Sequence, residues 1–106
     1  MQVFELDKFT GGWVVGDFEP SLLRLPSAEV AIKRYKQYDR EDKHVHRIAE
    51  EITIVVEGIV LMNGHILKRN DVVLLNAGEA TDFMALTDAV TCVIKSPSIK
   101  GDKYLV

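Results

Sequence analysis

His44 and His46 are separated by one residue, and the pair Glu50-Glu51 follows a few positions later. Imidazole nitrogens and carboxylate oxygens hold metal ions and move protons, so the stretch HVHRIAEE is where chemistry is first to be sought. On a strand, side chains at i and i+2 point to one side. His44 and His46 can therefore aim two imidazoles at one point while Val45 faces away. Glu51 lies at the wrong parity for simple alternation, and a turn or bulge within RIAE is needed to bring it back. With that bulge, Glu51, Thr53 and Val55 share the histidines' face and Glu50 points to solvent. Two histidines and one carboxylate on one face make a metal triad suited to iron, manganese, zinc or nickel rather than magnesium or calcium. Taken alone, a His-x-His pair after the charged run DREDK (39–43) reads first as surface histidines beside a solvated turn.

The elements that must position these residues are short and β-like. EITIVVEG (51–58) is β-branched nearly throughout and ends at Gly58. EVAIKRYKQY (29–38) is a second strand candidate. Asn63-Gly64 between two apolar runs predicts a type I′ hairpin. DVVLLNAGEA (71–80) predicts a strand closed by a turn, and TDFMALTDAVTCVIKSP (81–97) two more around Thr87-Asp88. GGWVVGDFEP predicts a short strand and turn, and SIKGDKYLV an end strand or a tail. Helical periodicity is hard to find. Seven or more short strands at intervals of roughly ten residues predict an all-β sandwich or barrel.

Bulk properties narrow the function classes. A chain of 106 residues is expected to form one domain over residues 1–106 with one modest core. The formal net charge is -3, with both signs interspersed and no basic stripe, which argues against a nucleic-acid partner. The longest apolar runs are about five residues, far below the ~20 that cross a bilayer, so no membrane association is expected. Cys92 is the single cysteine, which excludes an intrachain disulfide and fits a reducing cytoplasm. The start, MQVFELDKFTGG, lacks the basic and apolar regions of a signal peptide.

The full spacing is His44-x-His46-x4-Glu51-x6-Gly58, with an apolar run between glutamate and glycine. It resembles the first motif of the cupin superfamily. A second stretch, Asn70-Asp71-Val72-Val73-Leu74-Leu75-Asn76-Ala77-Gly78-Glu79-Ala80-Thr81, resembles the second motif in Asp71, the apolar run and Gly78. It departs from it where Asn70, Asn76 and Thr81 stand in place of glycine, proline and histidine. The resemblance covers residues 30 to 95 or so and implies a small jelly-roll β-barrel. It also implies metal ligation by His44, His46 and Glu51, with Thr81 in the fourth position. A threonine hydroxyl is a poor neutral ligand, so this position is either open to substrate or the mark of a barrel that no longer binds metal.

Other residues extend the expected site. Thr81, Phe83 and Ala85 share one parity, and Phe83 and Tyr35 either line the pocket or belong to the core. Of the basic set Lys33 to Lys36, one parity faces the cavity. A cavity-facing Arg34 would suit an anionic substrate, and outward-facing cations are the alternative. Trp13 is expected in core packing or an interface, or over the barrel mouth. Three functions remain open. One is a metal-binding cupin acting on a small polar molecule. Another is a metal-free module binding a sugar or carboxylate. The third is a metal-independent sugar isomerase or epimerase with His44 or His46 as base. A homodimer is expected, because the apolar segment MQVFEL would otherwise leave an exposed sheet edge and because small cupins commonly pair.

Overall fold

The alternating, turn-punctuated sequence folds into ten strands in the computed structural model, which describes residues 1–106. They are β1 (Trp13–Val15), β2 (Glu29–Tyr35), β3 (Arg40–Val45), β4 (Glu50–Glu57), β5 (Ile59–Met62), β6 (His65–Lys68), β7 (Val72–Leu75), β8 (Ala80–Ala85), β9 (Ala89–Ser96) and β10 (Tyr104–Leu105). One five-stranded sheet has the order β1-β2-β9-β4-β7 and faces a second of order β10-β3-β8-β5-β6. Every strand pair is antiparallel. Chain neighbours such as β3 and β4 lie in different sheets, which is the jelly-roll arrangement. No helix is long and apolar enough to cross a membrane.

Local chemistry sets the corners. Asn63 and Gly64, at φ 47° and 77°, both take the positive φ that a type I′ turn requires between β5 and β6. Gly58 ends β4 at φ 84°, where a Cβ would stand 2.2 Å from the Asp88 carbonyl oxygen, so no other residue fits without displacing backbone.

The run DREDK is not a solvated turn. Arg40 to Lys43 belong to β3, where Arg40 and Glu41 pair with β8 and Asp42 and Lys43 lie in a bulge. Glu41 opposes Phe83 and His44 opposes Thr81, three steps on one strand against two on the other. The extra residue turns Glu41 and His44 to the same face, which alternation alone forbids. The C-terminal segment forms an end strand, with Tyr104 opposite Val45 and Leu105 opposite His44.

The barrel interior divides along its length. At one end Val55, Val60, Met62, Leu75, Phe83 and Ala85 form the apolar core, joined by Ala89. Val55 and Val60 are fully buried, each contributing about 1.5–3 kcal/mol of transfer free energy. Towards the other end the inner face of the first sheet turns polar in successive rows. Lys33, Thr91 and Val55 are register partners, then Ala31, Val93 and Thr53, then Glu29, Lys95 and Glu51.

Candidate functional site

His44 ends β3 beside Val45, His46 opens the loop after it, and Glu51 is the second residue of β4. Residues 46–49 supply the irregular turn that restores Glu51 to the histidines' side. Glu50 is exposed while Glu51 and Thr53 line the cavity. Both histidines are buried, at 7% exposure each. Their rings meet edge to face with centroids 5.2 Å apart. Nε2 of His46 lies 3.9 Å from Glu51 Oε1.

The hydrogen bonds fix the tautomers. Nδ1 of His44 donates to the Asp42 carbonyl at 2.9 Å, and Nδ1 of His46 donates to the Asp102 carbonyl. A carbonyl only accepts, so both Nδ1 atoms carry a proton, and Nε2 is the atom left to present a lone pair in the neutral ring.

Asp102, from the C-terminal segment, also organises the loop. Its carboxylate accepts the backbone N–H groups of Arg47 (2.9 Å), Ile48 (3.1 Å) and Ala49 (2.9 Å). Burial works to raise its pKa, but the N–H donors of Ala49, Arg47 and Ile48 outweigh it and hold the carboxyl below its ordinary value. Nothing in the motif spacing points to Asp102, which reaches the loop from more than fifty residues away.

Thr81 is buried, opposes His44 and lines the same cavity. Its hydroxyl donates to the Asp82 carbonyl at 2.7 Å. Phe83 and Tyr35 form the floor, where the mouth meets the core, with ring centroids 4.4 Å apart. Tyr35 Oη donates to Glu41 Oε2 at 3.2 Å. Burial, and then the Glu41 charge, raise this phenol well above its ordinary pKa. Arg34 does not reach the cavity. It is exposed outside the barrel, 3.7 Å from Asp7, and the inward place belongs to its neighbour Lys33. Lys33, half-buried, has its pKa lowered, chiefly by desolvation.

The cavity measures about 170 Å³. Trp13 takes the barrel-mouth option and Lys33 the cavity-facing parity, and the wall also includes Glu41, Thr91, Lys95 and Lys103, which sequence reasoning missed. The parity of AVTCVIKS does place Thr91, Val93 and Lys95 together, but ordinary amphipathicity would turn Cys92 and Ile94 inward instead. Trp13 is half-buried at this mouth, with the ammonium groups of Lys33 and Lys95 at 5.1 and 5.0 Å from its ring centroid.

His44, His46 and Glu51 offer the imidazole and carboxylate donors that divalent transition metals take, and the free Nε2 atoms are of the ligating kind. Two ligand atoms about 2.1 Å from one ion stand roughly 3.0–3.4 Å apart, so His46 and Glu51, at 3.9 Å, must draw together to share one. The set is not closed around one point, because no three His, Cys, Asp or Glu side chains are gathered tightly enough to share an ion.

Comparison with known proteins agrees on the fold. No protein-family model matches the sequence, and no curated protein matches it. Among solved structures, a conserved Klebsiella pneumoniae protein with a double-stranded β-helix domain aligns with TM-score 0.74 at 17% identity, over 99% of this chain and 91% of that one. An RmlC-like cupin from Shewanella frigidimarina gives 0.66 at 18% identity, over 71% and 70%. The DMSP lyase DddQ from Ruegeria pomeroyi gives 0.70 at 20% identity, over 89% of this chain and 49% of that one. The chain has the cupin fold, the double-stranded β-helix.

Proposed function

We propose that this chain is a metal-binding cupin, with His44, His46 and Glu51 as ligands and the adjoining cavity as the site of a small polar molecule on which the metal acts. The observation that carries the reading is the state of the two buried histidines. Each commits Nδ1 to a backbone carbonyl and keeps Nε2 free, as ligating histidines do. His44, His46 and Glu51 would hold iron, manganese, zinc or nickel, which would supply Lewis-acid chemistry at a substrate or water oxygen. The chain's own residues do the rest. Asp102 fixes the loop that carries His46, Thr81 lines the fourth position without filling it, and the Tyr35–Glu41 pair bounds the ligand's space. A lyase on the same fold supports a catalytic role, although fold alone does not assign one. The lone cysteine supports a cytoplasmic location.

Elemental analysis of protein purified without an affinity tag tests this reading. About one equivalent of metal per chain supports it. Protein that is metal-free, and stays so after incubation with divalent ions, overturns it.

A second reading is favoured by one observation, the approach of His46 to Glu51 without a third ligand gathered around them. In it, Nε2 of His46 is the base of a metal-independent isomerase or epimerase, or a hydrogen-bonding group for a bound sugar or carboxylate. Binding or turnover of candidate sugars that survives exhaustive chelation supports that reading against the first.

A further inference from the structure

We propose that the cavity takes a small organic carboxylate, anchored by the ammonium of Lys33 with its body against Trp13 and its other end towards the histidines. The proposal deepens the reading of the mouth as a ligand site and rests on it.

The charges of the wall point to this class. Three lysines converge there. Lys95 pairs with Glu29 at 3.8 Å and Lys103 with Glu41 at 3.9 Å. Lys33 has no carboxylate within 4.0 Å, although it is half-buried beneath the indole. A partly desolvated ammonium with no carboxylate in contact is costly to hold, and an arriving anion lowers that cost. Of the cavity's two carboxylates, Glu41 already receives Tyr35 and Lys103, and Glu51 lies beside His46. Both act on Lys33 through their charge from beyond 4.0 Å, and neither forms a direct ion pair with it.

A second observation falls next to it. Thr91 Oγ1 is fully buried in the cavity wall, and its polar neighbour there is the Tyr35 hydroxyl, which itself donates to Glu41. Thr91 is the register partner of Lys33 on the adjacent strand. The inaccessible hydroxyl closes the wall beside Lys33, so an arriving anion meets the ammonium and not the threonine. Size sets the remaining limit. A cavity of about 150 Å³ takes a molecule as large as benzene, so about 170 Å³ suits an acid of roughly six to eight non-hydrogen atoms. The indole face offers apolar contact to a short carbon chain between two polar ends.

Calorimetry on the full chain, both zinc-loaded and chelator-treated, tests the assignment with malonate, its neutral counterpart malonamide, and inorganic phosphate. Malonate is expected to bind, with malonamide at least about tenfold weaker, roughly 1.4 kcal/mol. Lys33→Met is expected to weaken malonate by a similar factor in both preparations and to leave zinc affinity unchanged. The malonate-to-malonamide ratio needs no variant, so it decides even if Lys33→Met folds poorly. Equal binding of the two probes overturns the proposal, as does unchanged malonate affinity in a folded Lys33→Met. Phosphate binding more tightly than malonate overturns the carboxylate class. Malonate binding that vanishes with zinc and ignores Lys33 puts the acid on the metal, overturning this proposal while leaving the metal reading standing. Lys33-dependent binding in a chain that takes no zinc supports the anchor while the metal reading falls.

Discussion

The two faces of the first sheet are reversed relative to ordinary expectation. Its inner face, towards the mouth, carries Lys33, Glu51, Thr53, Thr91 and Lys95. Its outer face carries the rows Ile32, Cys92, Ile54, Val72 and Val30, Ile94, Ile52, Leu74, apolar in every position. Val72 and Leu74 are more than half exposed there. An antiparallel sheet with one solvated face usually puts polar residues outward. The inversion teaches two things. Polar groups turned into a barrel stay there for what they bind, since an apolar lining would stabilise the fold more. An apolar outer face, in turn, calls for cover.

The largest effect is expected where the inner site is held from a distance. Asp102→Ala removes the acceptor for three loop N–H groups. It should lower stability by roughly 3 kcal/mol and metal affinity by at least about tenfold, read by chemical denaturation and calorimetry. Asp102→Asn, which keeps one oxygen, should fall between. A variant as stable as the parent would show that the loop supports itself.

The outer face sharpens the comparison next. A second copy is proposed as its cover, packed across a two-fold axis that sets like apolar rows against each other. The apolar start MQVFEL is not the sheet edge expected of it, since residues 1–5 form no strand, and the surface to be covered is this face, where Val72 and Leu74 are the most exposed members. Light scattering should give about twice the 11.9 kDa chain mass, and Leu74→Glu should return it to one chain. A parent that stays at single-chain mass contradicts this.

Thr81→His should add an imidazole opposite His44 and tighten divalent metal by about tenfold, roughly 1.4 kcal/mol. Unchanged affinity would mean that position 81 does not reach the ion.

The smallest effect concerns Tyr35. Its folded pKa is raised, so above pH 10 the unfolded chain loses this proton first and stability falls as pH rises. Tyr35→Phe should flatten that decline in denaturation midpoints measured from about pH 9 to about pH 11. Parallel curves would contradict the burial of the phenol.

Much of the site was legible because two motifs fix spacing on strands of known parity. His44, His46, Glu51 and Thr81 were expected on one cavity, and the bulge needed by Glu51 is the turn at 46–49. Glu41 was not legible, because DREDK looks like solvent-facing charge and a bulge in β3 leaves no mark in composition. Lys95 was obscured by the reversed sheet, where the amphipathic rule assigns the wrong face. Asp102 was hidden because capping a loop from a distant segment requires the tertiary fold.

The central claim, that the inner face holds a metal through one glutamate of an adjacent pair, is tested most directly by zinc calorimetry on the parent, Glu51→Gln and Glu50→Gln. Glu51→Gln should lose at least about tenfold in affinity, roughly 1.4 kcal/mol, and Glu50→Gln should match the parent. Loss in Glu50→Gln with Glu51→Gln unaffected, or no zinc binding by the parent, would contradict it.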